Sequence, residues 1–290
     1  MAEYILITDS CADLPLSVYM DLDIKFVPLS FLLEGNTYQN TPDQSSMKFA
    51  DVYRKLRDGS NISTSAVNVE EFRNAFLPHL QEGKDILYMA FSSGLSGTCS
   101  AGTIAARDLA EEFPQRKIMV VDTLCAALGQ GLLVYLTAKK RAEGATLEEA
   151  AQYAEETKLS LCHWFTVDDL FFLKRGGRLS GATALVGSAL GIKPVLHVDD
   201  EGHLVKVSTA RGRKNSLKAL ADKMAETAID PQNQTVFIGH GDCLEDAQYL
   251  ADLLKSSCGF KEILIDYVGP VIGAHSGPGT MALFFLGTRR

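Results

Sequence analysis

The chain has no loop built to hold a nucleoside triphosphate: G-x-x-x-x-G-K-[ST] occurs nowhere in its 290 residues. The segment Gly277-Pro278-Gly279-Thr280-Met281-Ala282 fits G-x-G-x-x-A, but only eight residues follow it. Neither a βαβ unit nor an acidic residue about 20 positions on can complete a dinucleotide site there. Cysteine pairs of the form C-x-x-C are missing too. Cys11, Cys99, Cys125, Cys162, Cys243 and Cys258 are scattered without metal-ligand spacing, and a chain this apolar needs no disulfide framework. Reduced, mostly buried thiols and no metal are expected. No block of basic residues appears, and Asp plus Glu number 36 against 28 Lys plus Arg. That balance excludes a nucleic-acid partner and leaves at most transient contact with a membrane surface. No apolar run approaches the roughly 20 residues that span a bilayer. Met1-Ala2-Glu3 leads into Tyr4-Ile5-Leu6-Ile7 without a basic stretch, so no secretory signal and a cytoplasmic location are expected.

What is present suits a globular protein of about two domains, with 46% apolar and 22% charged residues. In the first half, strand-like runs at Tyr4–Thr8, Ile24–Leu33, Asp85–Phe91 and Lys117–Asp122 alternate with helical stretches. The helices are expected over Asp43–Arg57, Ser96–Glu112 and Leu124–Ala142, with capping patterns at Asn68-x-x-Glu71 and Thr146-x-x-Glu149. Alternation of this kind predicts a mostly parallel α/β sheet covered on both faces. Near residue 160 the pattern changes. Leu161–Val167, then Ile192–Val198 and His203–Thr209 across the turn Asp199-Asp200-Glu201-Gly202, read as strands, the last two as a hairpin. With helices at Lys214–Thr227 and Leu244–Ser256 and strands at Thr235–Gly239 and Glu262–Val268, this predicts an α+β domain. The expected division is 1–160 and 161–290.

The densest chemistry lies in Phe91-Ser92-Ser93-Gly94-Leu95-Ser96-Gly97-Thr98, after a strand and before a helix. Hydroxyls and free amides at a helix N-terminus make an anion site for a carboxylate or a phosphate. A plain cap would need one serine, Ser96; four hydroxyls in seven residues exceed that. Ser63-Thr64-Ser65 is a second hydroxyl cluster, before the capped helix. The hydrolase elbow G-x-S-x-G is absent; its nearest approach, Ala90-Phe91-Ser92-Ser93-Gly94, has Ala90 for the first glycine. His275, flanked by Gly273-Ala274 and Ser276-Gly277, is the accessible imidazole. Arg178 and Arg211 close predicted turns or strands. The uncharged segment 180–191 must be buried all round or face something apolar.

Taken together these residues resemble the DegV family of bacterial fatty-acid-binding proteins. The resemblance runs through Thr8-Asp9-Ser10 with Asp13-Leu14, Ser63-Thr64-Ser65, Ser92 to Thr98 and Val121-Asp122-Thr123. It continues in Leu173-Lys174-Arg175-Gly176-Gly177-Arg178-Leu179-Ser180, Lys193-Pro194 and Gly273 to Gly279. It implies a two-domain fold with a ligand tunnel at the domain junction, hydroxyl loops in the first domain and acyl-lining walls in the second. The implied function is to bind a long-chain fatty acid and present its carboxylate to a separate ATP-dependent fatty acid kinase subunit, carrying acyl phosphate to phospholipid synthesis. No catalytic residue and no cofactor of its own are implied. By position Thr64 and Ser93 match the family's carboxylate-binding hydroxyls, with Ser65 and Ser92 beside them; Arg178, Arg211 and His275 match head-group or partner residues. Cys99 departs from the family, where Tyr often follows the Thr. Two other readings stand beside this one: an acyl hydrolase using Ser92 or Ser93 with His275, and a lipid-sensing module with no kinase partner.

Overall fold

The computed structural model describes residues 4–179 and 191–290. Strand β1 (Tyr4–Asp9) is followed by helix α1 (Leu16–Asp21) and β2 (Ile24–Val27), which pairs in parallel with β1. The run expected as one strand over Ile24–Leu33 is two. Pro28 has no N–H for a ladder, and beyond it β3 (Ser30–Leu33) turns into another sheet. There it lies between β4 (Asn36–Gln39) and β5 (Ile62–Ser65), both antiparallel to it. Helix α2 (Phe49–Arg57) connects these two strands and starts six residues later than expected. Helix α3 (Val69–Gln81) begins at the Asn68–Glu71 capping box. Then come β6 (Asp85–Ala90), α4 (Thr98–Glu112), β7 (Ile118–Asp122), α5 (Ala127–Ala142) and α6 (Leu147–Thr157), the last opened by the Thr146–Glu149 capping box. Leu124 sits at φ +52°, in the left-handed region, which delays α5 to Ala127. The order β2-β1-β6-β7 is parallel throughout, as the alternation predicts.

The second half contributes β8 (Leu161–Thr166), α7 (Leu170–Arg175), the hairpin β9 (Ile192–Val198) and β10 (Leu204–Arg211), and α8 (Arg213–Thr227). It ends with β11 (Thr235–His240), α9 (Leu244–Ser257), β12 (Glu262–Tyr267), α10 (Pro270–Ser276) and β13 (Met281–Leu286). The sheet order is β10-β9-β8-β13-β11-β12, antiparallel except for β11 with β12. Segment 180–190, where the sequence predicts an uncharged wall, lies outside the described residues.

Period-two alternation explains the layering. In β6, Ile86 and Tyr88 face α3 and α4, while Leu87 and Met89 face α5. In β13, Met281, Leu283 and Phe285 face α8 and α9, while Ala282 and Phe284 face α5. Helix α5 is therefore sandwiched between the two sheets and buried on nearly all sides. A Cβ at Gly129 would overlap His163 and Phe284, and one at Gly131 would overlap the Ala12 carbonyl. Only glycine lets the helix approach both neighbours this closely. The three-stranded sheet packs with α2 and Ala274 of α10 in a smaller core.

Candidate functional site

Where the parallel strands end and α10 begins, a cavity opens between the halves. Such positions beyond the carboxyl ends of strands are where open α/β sheets bind ligands. Its empty volume is about 940 Å³, mouth included, within the roughly 300–1,000 Å³ of small-molecule sites. Leu29, Phe91 and Ala127 line it from the first half, and Phe165, Leu204 and Phe284 from the second. Each half supplies both apolar and hydroxyl residues, with Thr64 and Ser96 from the first and Ser276 and Thr280 from the second.

Polar groups gather at one region of the wall. Thr64 on β5 and His275 on α10 share a hydrogen bond of 2.8 Å between Oγ1 and Nε2. Arg178, just past α7, donates from Nε to the Leu95 carbonyl at 3.3 Å and from Nη1 to the Gly176 carbonyl at 2.5 Å. Ser65, Ser96 and Ser276 also line the cavity. The Ser276 hydroxyl is buried without a hydrogen-bond partner. Burial, then the Arg178 and Arg175 charges, push the His275 imidazole down to about 4, so at neutral pH it is uncharged. Positive charge here comes from the guanidinium groups, with the imidazole as a neutral hydrogen-bonding group. Thr64, Arg178 and His275 also border an outer, more open recess that holds Arg175, whose Nη1 donates to Asn61 Oδ1 at 2.8 Å. The polar groups therefore stand between the inner cavity and the surface.

Thus Thr64, Ser65, Arg178 and His275 come together, and the other expected site residues do not join them. Ser92 is buried and donates to the Gly202 carbonyl at 2.9 Å, fastening this loop to the β9–β10 turn. Ser93 is exposed, with its amide on Asp122 Oδ1 at 3.2 Å. Neither lines the cavity. Phe91 takes the inward position and Ser92 turns away from it. Ser96, expected as a helix cap, is the loop hydroxyl that faces inward; its Oγ accepts the Thr98 amide at 3.2 Å. The Ser–His pair required for hydrolysis by Ser92 is not formed, since the two side chains are engaged with Gly202 and Thr64. Arg211 is exposed at the end of β10 and away from the cavity lining; its carbonyl accepts from Asn215 Nδ2 at 2.8 Å.

His163, buried in the cavity wall, was not expected there. Its Nε2 accepts the Ala126 amide at 3.2 Å, so Nδ1 carries the proton and donates to the Leu161 carbonyl at 3.0 Å. Burial holds it neutral, well below the usual range. Among the described residues one trio of His, Cys, Asp or Glu has metal-ligand proximity, Asp199, Glu201 and His203 in the β9–β10 turn. There Asp199 Oδ1 already accepts the amides of Glu201 and His203. All six cysteines are free and four are buried. No helix among the described residues is long and apolar enough to cross a membrane.

Residues 4–288 match the family model described as uncharacterised protein, DegV family. A DegV domain-containing protein of Clostridium perfringens is 46% identical over 287 residues, covering 99% of this chain and 98% of that one. A crystallised DegV lipid-binding protein of Thermotoga maritima superposes with a TM-score of 0.87 at 28% identity, covering all of both chains. A DegV family protein of Thermus thermophilus, described by its fatty acid binding, gives 0.86 at 31% identity over 98% of this chain and 99% of that one.

Proposed function

The chain belongs to the DegV family, and on that premise we propose that it holds a long-chain fatty acid in the cavity between its sheets and presents the carboxylate to a separate kinase subunit. The observation that carries this reading is an apolar cavity with one polar region, formed by Thr64, Ser65, Ser96, Arg178 and His275. Burying the fourteen or so methylenes of a sixteen-carbon acid is worth roughly 11 kcal/mol gross, at about 0.8 kcal/mol each, before ordering costs. Hydroxyls and a neutral imidazole donate to the carboxylate, and the Arg178 guanidinium beside them favours its negative charge. Through the outer recess another protein reaches the carboxylate oxygens while the acyl chain stays buried.

ATP arrives on the partner, a fatty acid kinase catalytic subunit, since the sequence contains no P-loop motif. The acyl phosphate then passes to phospholipid synthesis in the cytoplasm. Arg211, an exposed guanidinium, serves the partner surface in this reading. The domain division is proposed at 160/161, after the short 3-10 turn Lys158–Ser160.

The test is organic extraction of the purified protein followed by mass spectrometry, with about one acyl chain per polypeptide expected. Recovery of no acyl species, together with no uptake of added palmitate or oleate, would overturn the reading. Acyl phosphate formed with the kinase subunit and ATP, but not by the chain alone, separates a kinase subunit from a lipid sensor.

A further inference from the structure

At the turn after β1, a second and smaller cavity has two acids, Asp13 and Asp266, in its wall. Its empty volume is about 330 Å³, and it is lined by Ser10, Asp13, Tyr19, Asn40, Gln44 and Asp266 among others. Its free interior of about 20 Å³ admits roughly one water-sized sphere. Among the described residues no Lys, Arg or His lines it.

The carboxylates of Asp9, which ends β1, and Asp13, four residues on, are treated differently. Asp9 is fully solvated by protein: Cys11 N–H and Gln130 Nε2 donate to Oδ1 at 3.1 and 3.3 Å, and Phe91 N–H and Tyr88 Oη to Oδ2 at 2.8 and 3.0 Å. Asp13 has none of this. The residue keeps some exposed surface, but both of its carboxylate oxygens are closed off from solvent, and among the described residues no side chain donates to either; the Gly269 amide is the one group beside them. The nearby Gly269 amide favours its ionised form, yet burial and the charges of Asp266 and Asp9 outweigh it. A buried carboxylate with a single amide beside it costs free energy to ionise unless something compensates it.

Asn40 and Asp266 line the same cavity. A Cβ at Gly269 would overlap Asp13 Oδ1 and lie 3.3 Å from Asn40 Oδ1. Asn40 spends its Nδ2 on the Ser10 carbonyl at 3.1 Å and the Ser10 hydroxyl at 3.3 Å, which turns its Oδ1 toward Asp13. Asp266 adds a second carboxylate, whose Oδ1 accepts the Tyr267 amide at 2.7 Å. The donors are all oxygen, the room fits one small body, and two carboxylates supply two negative charges. Hard divalent cations take such sites.

We propose that this cavity binds a single hard divalent cation between Asp13, Asp266 and Asn40. The ion ties three segments that are distant in sequence: the turn after β1, the loop after β4 and the end of strand β12. The last of these leads into Val271, Ile272 and His275 of the larger cavity, so the ion would hold α10 in place without touching the ligand.

The experiment uses the full chain, stripped with chelator and dialysed against divalent-free buffer. Equilibrium dialysis with Ca²⁺ or Mg²⁺, read by elemental mass spectrometry, should return one ion per chain, and saturating ion should raise Tm by about 5 °C. Asp266→Asn should weaken uptake at least tenfold, and Asp13→Asn should abolish it. Should Asp13→Asn fail to fold, wild-type uptake and Asp266→Asn decide alone. No uptake with an unchanged Tm would overturn the proposal and leave Asp13 as a buried neutral acid. Stabilisation by Na⁺ or K⁺ alone would overturn the divalent assignment. Uptake that survives Asp266→Asn but is lost in Glu201→Gln would move the ion to the β9–β10 turn and overturn it equally.

Discussion

His275 is an imidazole kept neutral by its surroundings, and that has measurable consequences at two levels. Its folded pKa is pushed down to about 4 from an ordinary 6.5. Between those values the unfolded chain takes up a proton that the folded chain refuses. The contribution is therefore complete above about 6.5 and is lost progressively as pH falls toward 4. Replacing His275 by Gln should flatten the stability profile across that window, as followed by denaturant midpoints at several pH values. A bound carboxylate acts in the opposite direction, favouring the charged ring, so the His275 resonance should titrate at higher pH in the loaded protein. An unchanged titration on adding fatty acid would remove His275 from the carboxylate site.

Serine direction matters as much as serine content. Ser96→Ala and Thr64→Val should each weaken fatty acid binding by about 1.5–3 kcal/mol, the worth of a hydrogen bond to a charged acceptor. Ser93→Ala should leave affinity nearly unchanged, because that hydroxyl is outside the cavity. Calorimetric titration distinguishes them; an effect confined to Ser93→Ala would mean that the loop rearranges around the ligand. The sequence displays Ser92, Ser93, Ser96 and Thr98 as equals, since residue type carries chemistry but not orientation. Orientation comes from the turn at Gly94 and from the Ser92–Gly202 contact, made 110 residues away. His275 stands out in sequence because its neighbours from Gly273 to Gly279 are small, whereas Thr64 and Arg178 are singled out only by the family resemblance.

At the scale of elements, what the sequence hides is mostly in the small three-stranded sheet. Asn36-Thr37-Tyr38-Gln39 and Ile62-Ser63-Thr64-Ser65 are four residues long and mostly polar, so neither period nor hydrophobicity marks them as strands. The core strands are legible for the opposite reason: buried on both faces, they are near-continuous apolar runs. Helix α5 shows how much depends on spacing rather than propensity. Gly131→Ala improves helix propensity by roughly 1 kcal/mol, yet its methyl group must displace the Ala12 carbonyl or the helix itself. Overpacking of this kind costs typically 1–3 kcal/mol. A net loss of stability is expected in urea titration, with the fold intact by circular dichroism. A gain would mean that α5 has slack against the turn after β1.

At the scale of the whole molecule, the two sheets share a core although they occupy separate stretches of chain. Leu6, Leu87 and Val121 of the first sheet and Phe165, Phe237 and Phe284 of the second belong to one buried cluster, bridged by Leu128 and Leu132 of α5. Each such side chain contributes about 1.5–3 kcal/mol when fully buried. Neither sheet can keep that contribution if the other leaves. Unfolding should accordingly be a single transition, and the chain carries its own reporter. Its one tryptophan, Trp164, is 7% exposed on β8, on the α8 face of the second sheet. Its fluorescence reports the second half alone, whereas far-ultraviolet circular dichroism reports every helix. Coincident midpoints are expected in denaturant, with and without fatty acid. Bound ligand should move both by the same amount, because the cavity draws its walls from both halves and the stabilisation follows RT ln(1 + [L]/Kd). Two separated transitions, only one of them shifted by fatty acid, would show that the shared core does not couple the halves and that the ligand rests on one of them.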